Sequence, residues 1–288
     1  MKERLKSAPD AVLEKWPILD ELIKVHRQKL AKPDMPLPPG YEHKREIERR
    51  YLPDVAVIRQ AGGIDAFFTK LLNTPSIYAR MILQTNVSVY ADRKKKKKQQ
   101  ITFRLRRTKI LREDDEGGLY HSHAHSEDAL CRIAIKSRVP GIDNAHDETQ
   151  RVLTVSEQRD ERALQSFSDL EEMALPDTFV IRTRAYVIDW PLPNGGKCEI
   201  HFERNHGPTQ NMTDVFRVEI EFDRPEDQDY VRGDDPKKPL KKGLPAWIGL
   251  DVTDDPHMKN ASMVKRGPPE HARKIMNLLK SPSNNSGA

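Results

Sequence analysis

The stretch HKREIERRYLPD, His43 to Asp54, decides how this chain is read. Glu46, Glu48 and Arg50 fall at every second position, with Ile47 and Tyr51 supplying apolar character between them. In a strand, residues two apart share a face. A strand over 44–52 would therefore line one face with acid, acid and base. Such a face is either wet surface or the wall of a polar cavity, and the function turns on which of the two it is.

The same design recurs along the chain. QITFRLRRTKI sets Phe103 and Leu105 against Arg104 and Arg106, and ALCRIAIKSRV sets Cys131, Ile133 and Ile135 against Arg132, Ala134 and Lys136. In FVIRTRAYVID, Arg182 and Arg184 share a face, and Ile181, Thr183 and Ala185 share the other. KCEIHFE places Glu199, His201 and Glu203 opposite Cys198, Ile200 and Phe202, and FRVEIEFD places Glu219 and Glu221 opposite Val218, Ile220 and Phe222. PNGG, Pro193 to Gly196, is a strong hairpin signal between two of these runs. ILQTNVSVYAD also reads as strand, and no internal repeat of fixed period is present.

Helical patterns lie between and around the strands. Residues 10–30 carry Val12, Trp16, Leu19 and Ile23 at helical spacing, with Pro17 able to start a new first turn. GGIDAFFTKLLN stripes Ile64, Phe67, Phe68, Leu71 and Leu72 on one side. Helices are also expected over 157–175 and 271–280. The Pro-rich LAKPDMPLPPG divides an N-terminal extension, 1–40, from a main domain over 41–266; a C-terminal helix and frayed tail occupy 267–288.

Composition sets outer bounds. The 288 residues are 32% charged and 36% hydrophobic, so a polar chain can still build a core if its apolar residues concentrate in strands and helices. The net charge of +5 tilts the partners toward nucleic acid or another polyphosphate. Two distant cysteines, Cys131 and Cys198, form no CxxC and predict neither a zinc site nor a disulfide scaffold. No apolar run is long enough to span a membrane and the N-terminus lacks the apolar core of a signal peptide, which together predict a cytoplasmic protein with no membrane partner. Phosphate-binding glycine loops, dinucleotide fingerprints and nucleophile elbows are absent. The histidines of YHSHAH, residues 120–125, have strand spacing for chelation, but no third ligand or cysteine accompanies them.

Two architectures fit the alternation. One is an antiparallel sheet with its apolar side on helices and its charged side in water. The other is an α+β fold in which about eight strands form an antiparallel barrel, a tunnel with a charged lumen and helices packed outside. Three details lean to the tunnel. The charged faces are dense in Arg and Glu, their signs segregate by strand, and helical stripes are available to cover an outside.

The strands also resemble, in order, those of the CYTH or triphosphate tunnel metalloenzyme superfamily. EIERRYL resembles its opening ExExK strand, with Arg50 where lysine is usual. ILQTNVSVY, FRLRR, IAIKS, VIRTRAYVI, KCEIHFE and RVEIEFD are similar to successive later strands, and LPAWIGLDVTDDPHMKN resembles the closing segment. The likeness spans roughly 44–263. Departures are His201 where an acid is usual, Asp251 in place of a glutamate, and His257-Met258 in place of a basic–tyrosine pair, with Lys259 following.

The resemblance implies sites. Glu46, Glu48, Glu219 and Glu221 would hold Mg2+ or Mn2+, and Glu46 and Glu48 would serve catalysis, Glu48 ordering a water nucleophile. The alternative for these acids is internal pairing with arginine. Arg50, Arg104, Arg106, Lys136, Arg182, Arg184 and Lys259 would bind the phosphoryl groups, or else form a structural ion-pair ladder. Arg93 and Lys94, Lys95, Lys96, Lys97 and Lys98 form a basic hairpin tip, either a solvated loop or a grip on an RNA backbone. The implied activity is metal-dependent hydrolysis of a triphosphate, RNA 5′ triphosphate or a small triphosphate. The family also allows inorganic triphosphate, thiamine triphosphate or cyclisation of ATP. A non-catalytic RNA-binding protein on the same fold is the rival reading.

Overall fold

The computed structural model describes residues 17–72, 77–90, 100–110, 130–142, 144–154, 156–157, 179–206, 215–233 and 241–280. In chain order the described elements are helix α1 (Pro17–Ala31), strand β1 (Tyr41–Pro53), helices α2 (Val55–Gln60) and α3 (Ile64–Leu72), and strands β2 (Ile77–Tyr90) and β3 (Gln100–Ile110). Strands β4 (Leu130–Arg138), β5 (Ala145–Val152), β6 (Phe179–Pro191), β7 (Lys197–His206) and β8 (Val215–Phe222) follow. Helix α4 (Pro225–Arg232), strand β9 (Ile248–Asp251) and helices α5 (Asn260–Arg266) and α6 (Glu270–Lys280) complete the set. The helix expected over 157–175, the lysine run and the YHSHAH segment lie outside the described residues.

The nine strands pair in the order β5-β4-β3-β2-β6-β7-β8-β1-β9, and β5 also pairs with β1. Every register between β3, β4 and β5 and between β6, β7, β8, β1 and β9 is antiparallel. The expected α+β class, a mainly antiparallel sheet with helices, is therefore present. The expected tunnel gives way to this coarser description: a strand order, not a charged lumen, is what the described residues establish. Two compact units divide the chain. The first comprises residues 1–45, 83–109 and 121–180, and the second residues 46–82, 110–120 and 181–288.

In the second unit the register sorts the strands of β6, β7, β8 and β1 into two faces. Directly opposed residues of an antiparallel pair share a face. Tyr186, Phe202, Val218 and Tyr51 are opposed in one row, and Ile188, Ile200, Ile220 and Arg49 in the next. Helix α3 covers this face. Phe68 stacks on Tyr186 at 4.2 Å and 15° and meets Phe202 edge-on at 5.0 Å. Phe67 packs against Phe202 and Trp247. The stripe read from GGIDAFFTKLLN is thus the lid of the aromatic core, with Phe67, Phe68 and Leu71 buried.

Turn chemistry fixes the register. At the PNGG hairpin Gly195 adopts φ 80°, the Asn194 side chain accepts from Gly196 N–H, and Leu192 N–H donates to Gly196 C=O. Where β9 crosses β1, a Cβ on Gly249 would stand 2.7 Å from the Leu52 carbonyl oxygen, so only glycine permits the approach. Asp54 ends β1 and caps α2, its Oδ1 accepting from the backbone of Ala56 and Val57. Helix α2 in turn packs on α6.

In the first unit, α1 begins at Pro17 and packs on β4 and β5. Among its described side chains Leu22, Val25 and His26 are buried, and Ile23, expected on the apolar stripe, is only half-buried; Leu19 lies outside the described side chains. A polar anchor sits within this stripe. His26 Nδ1 lies 2.8 Å from Thr149 Oγ1 and its Nε2 lies 2.9 Å from Ser137 Oγ, so the ring between β4 and β5 sets the rotation of the helix. Among the described residues no helix is long and apolar enough to cross a membrane.

Candidate functional site

The face of the second unit opposite the aromatic core is charged, and β1 supplies its first side chains. Glu46 and Glu48 are each 3% exposed, so the alternation that opened the sequence reading is not a solvated rim. Glu48 opposes Glu221, which opposes Glu199, which opposes Asp189. Four acids thus stand in one row across four strands. The next row reads Arg50, Glu219, His201 and Val187, and the one beyond brings Arg217, Glu203 and Ala185 together. Like charges directly opposed across strands are destabilising, so this arrangement requires cations.

Two arginines supply part of that charge. Arg50 donates to Glu48 Oε2 at 2.5 Å and to Glu219 Oε2 at 3.1 Å. Burial alone would lower the Arg50 pKa, but Glu219 and Glu48 outweigh it and hold the guanidinium above its ordinary value. Arg217, 2% exposed, donates through Nε and Nη2 to Glu203 Oε2 and reaches Glu219 Oε2 at 3.2 Å. Its remaining nitrogen donates to Asn260 Oδ1 at 2.7 Å. Asn205 donates to the same Glu203 oxygen and accepts from Thr183 at 2.7 Å. Glu48, Glu219, Arg50, Arg217 and Glu203 therefore form one connected network of charge-assisted bonds.

Among the described residues two sets of side chains bring ligand atoms within 4.8 Å of one another: Glu48, Glu219 and Glu221, and Glu199, His201 and Glu221. The first contains three of the four acids expected from the sequence; Glu46 shares their face without joining the set. The second contains His201, whose Nε2 contacts Glu199 and whose Nδ1 lies 3.9 Å from Glu221.

Other expected residues fall elsewhere. Arg184 opposes Arg204, one position off the row of Ala185 and Glu203, so it belongs to the aromatic face and not the acidic one. Its guanidinium lies over the Tyr186 ring at 5.3 Å. Arg182 opposes His206, two positions along the same strand, and its side chain is outside the described residues. The register gives the acidic face of β6 to Thr183, Ala185 and Val187. Lys259 is exposed at the N-cap of α5, and its neighbour Asn260 is the residue that reaches the network. Asp251 accepts from Arg49 Nε and Nη2 through Oδ2 and from Thr253 through Oδ1, and the Thr253 hydroxyl also binds the Arg50 backbone. It is an anchor for β1 rather than a corner of the acidic cluster.

The first unit carries the basic counterpart. Arg106 opposes Arg132, Arg104 opposes Ala134, and Lys136 opposes both Thr102 and Glu148, which sets all three expected basic residues on one face. Lys136 Nζ lies 3.5 Å from Glu148 Oε2, both side chains being buried. The opposite face, with Ile135, Thr149, Ser137 and Asp147, is the one that receives His26.

Arg217, Glu203, Glu199 and Asn260 were not assigned roles by sequence reasoning. The signal was available for three of them: Arg217 is two residues before Glu219, and Glu199 and Glu203 share the parity of His201. Asn260 comes from a distant segment and gives no such signal.

No family model matches the chain, and no curated protein matches it. Among solved structures, the PH1819 protein of Pyrococcus horikoshii OT3 aligns with a TM-score of 0.33 at 15% identity, covering 64% of this chain and 81% of that one. A protein described as a "putative adenylate cyclase" (bh2851) from Bacillus halodurans aligns with a TM-score of 0.34 at 15% identity, covering 64% of this chain and 84% of that one. At these scores neither likeness carries an argument about what this chain does.

Proposed function

We propose that the chain is a CYTH-like protein that binds a divalent cation together with a triphosphate, and that hydrolysis of the triphosphate is the activity its acidic face serves. One observation carries the reading: Glu48, Glu219 and Glu221 present carboxylate oxygens within 4.8 Å of one another on adjacent strands, beside the guanidinium groups of Arg50 and Arg217. An all-oxygen, all-anionic donor set fits a hard cation such as Mg2+ or Mn2+. Bound there, the ion would supply positive charge against phosphoryl oxygens. Arg50 and Arg217 would donate hydrogen bonds to the anion, exchanging part of their present pairing with Glu48 and Glu219 for phosphate. Glu46 and Glu48, both buried, are the candidate proton acceptors for an attacking water. The basic face of the first unit, with Arg106, Arg132 and Lys136, supports affinity for a polyanion in its own right, and RNA is the attractive carrier of the triphosphate.

A second reading keeps the fold and drops the chemistry. The bonds from Arg50 to Glu48 and Glu219, and from Arg217 to Glu203, neutralise carboxylates internally. On that reading the protein binds RNA without turnover. Phosphate release from inorganic triphosphate, ATP and triphosphorylated RNA in Mg2+ or Mn2+, beside RNA binding in EDTA, separates the two. Metal-dependent release supports the enzyme. No release from any substrate, with equal binding of 5′-hydroxyl and 5′-triphosphate RNA in EDTA, supports the binder.

A further inference from the structure

We propose that His201 makes Glu199, His201 and Glu221 a nitrogen-containing cation site, with a preference for a borderline first-row divalent ion over Mg2+. It adds to the reading above, sharing only Glu221 with the all-oxygen set.

Three observations lead there. The ligand atoms of Glu199, His201 and Glu221 lie within 4.8 Å of one another, and they come from two adjacent strands held in continuous antiparallel register. The set is not a patch of exposed acids: His201 is 3% exposed and lies between the two carboxylates, while Glu199 and Glu221 stay partly open at 33% and 17%, which leaves a route for an ion. The register also makes Glu199 and Glu221 directly opposed, within the row that runs on to Asp189 and Glu48. Two opposed carboxylates on neighbouring strands repel unless a cation stands by them. In the parallel rows Arg50 and Arg217 supply that charge to Glu48, Glu219 and Glu203. At the Glu199–Glu221 step His201 stands beside both carboxylates.

Donor chemistry then sets the ion. Mg2+ takes oxygen and keeps its waters, so a neutral nitrogen is a poor partner for it. Imidazole suits Ni2+ and Zn2+, and along the first row affinity rises from Mn2+ through Co2+ and Ni2+ to Cu2+ before falling at Zn2+. An acid at 201 would extend the all-oxygen character of the face; histidine divides it into a hard set around Glu219 and a mixed set around His201.

Pulsed EPR of the full chain loaded with Mn2+, with Co2+ absorption spectroscopy in parallel, tests the proposal by a signature of the bond itself. A nitrogen coupling from a directly bound imidazole should appear in the wild type and vanish in His201→Asp. In calorimetric titrations the Zn2+-to-Mg2+ affinity ratio should fall in that variant by more than the about tenfold that losing even an outer-shell partner costs. If the added carboxylate unfolds the protein, His201→Asn removes the basic nitrogen at nearly the same size and should show the same spectral loss with an unchanged circular dichroism spectrum. Glu48→Gln keeps the two readings apart: it should weaken Mg2+ and leave the nitrogen coupling intact. A wild type without nitrogen coupling, or a coupling that persists in both His201 variants, overturns the assignment to His201. A nitrogen coupling without any Mg2+ binding would uphold it while removing the hard-cation reading.

Discussion

The two units cover their sheets in different ways. In the second, α3 lies on the sheet through Phe67 and Phe68 against Tyr186, Phe202 and Trp247. In the first, α1 is held by Leu22 and Val25 but oriented by His26, whose ring bridges Thr149 and Ser137 while His43 reaches the same Thr149 hydroxyl. Burial of aromatic surface is strong, non-directional and indifferent to pH. A buried imidazole between two hydroxyls is directional, and it depends on staying neutral. Burial, with His43 nearby, pulls the His26 pKa down to about 4, and burial also lowers that of His43.

The largest effect should come from the aromatic cover. Phe68→Ala removes a buried ring that meets Tyr186 and Phe202, and should cost about 3–5 kcal/mol, equally at pH 5 and pH 7.5. Chemical denaturation at both values checks this, and a loss below about 1 kcal/mol would mean the ring contacts are not the core that the register implies.

The imidazole cover should respond to acid instead. Because the folded His26 pKa lies below the unfolded 6.5, the unfolded chain binds more protons between about pH 6.5 and 4. The stability this group supports is complete above pH 6.5, falls as pH drops through that window, and is flat below it. The total contribution is of the order of 3 kcal/mol. Comparing the pH slope of the wild type with that of His26→Gln isolates it, and identical slopes would reject the account of the docked helix.

How far the sequence carried depends on which question is asked. Strand parity was legible: Glu46, Glu48 and Arg50 do share a face, as do the positions of Arg104, Arg106 and Lys136. What parity cannot say is which of two faces meets which neighbour. In β6 Arg182 and Arg184 take even positions while Ile181, Thr183 and Ala185 take odd ones, and only the pairing of Ala185 with Glu203 reveals that the odd face is the acidic one. The same limit hid Arg217, whose role depends on Glu203 of the adjacent strand and Asn260 of a remote segment. Helix α1 shows another limit. Its stripe was sought in Val12, Trp16, Leu19 and Ile23, while the residue that orients it is a histidine, which hydropathy does not count as core.

The smallest effect on stability belongs to the basic run outside the described residues. Replacing Lys94 to Lys98 with serine should leave the denaturation midpoint unchanged and flatten the salt dependence of RNA binding by about 0.7 in slope for each single-strand phosphate released. Turnover of a small triphosphate should be unaffected. An unchanged salt slope would remove the reason for preferring RNA as the carrier.

The central claim is that the acidic face of the second unit is a cation and triphosphate site rather than a closed set of internal pairs. Calorimetric titration of Mg2+ into the full chain, with and without inorganic triphosphate, tests it most directly when wild type and Glu219→Gln are compared. Wild type should bind Mg2+ more tightly when triphosphate is present, and Glu219→Gln should lose most of that binding while remaining folded, since the substitution keeps shape and removes a charged ligand. Heat-silent titrations of wild type, or Mg2+ binding undiminished in Glu219→Gln, would contradict it.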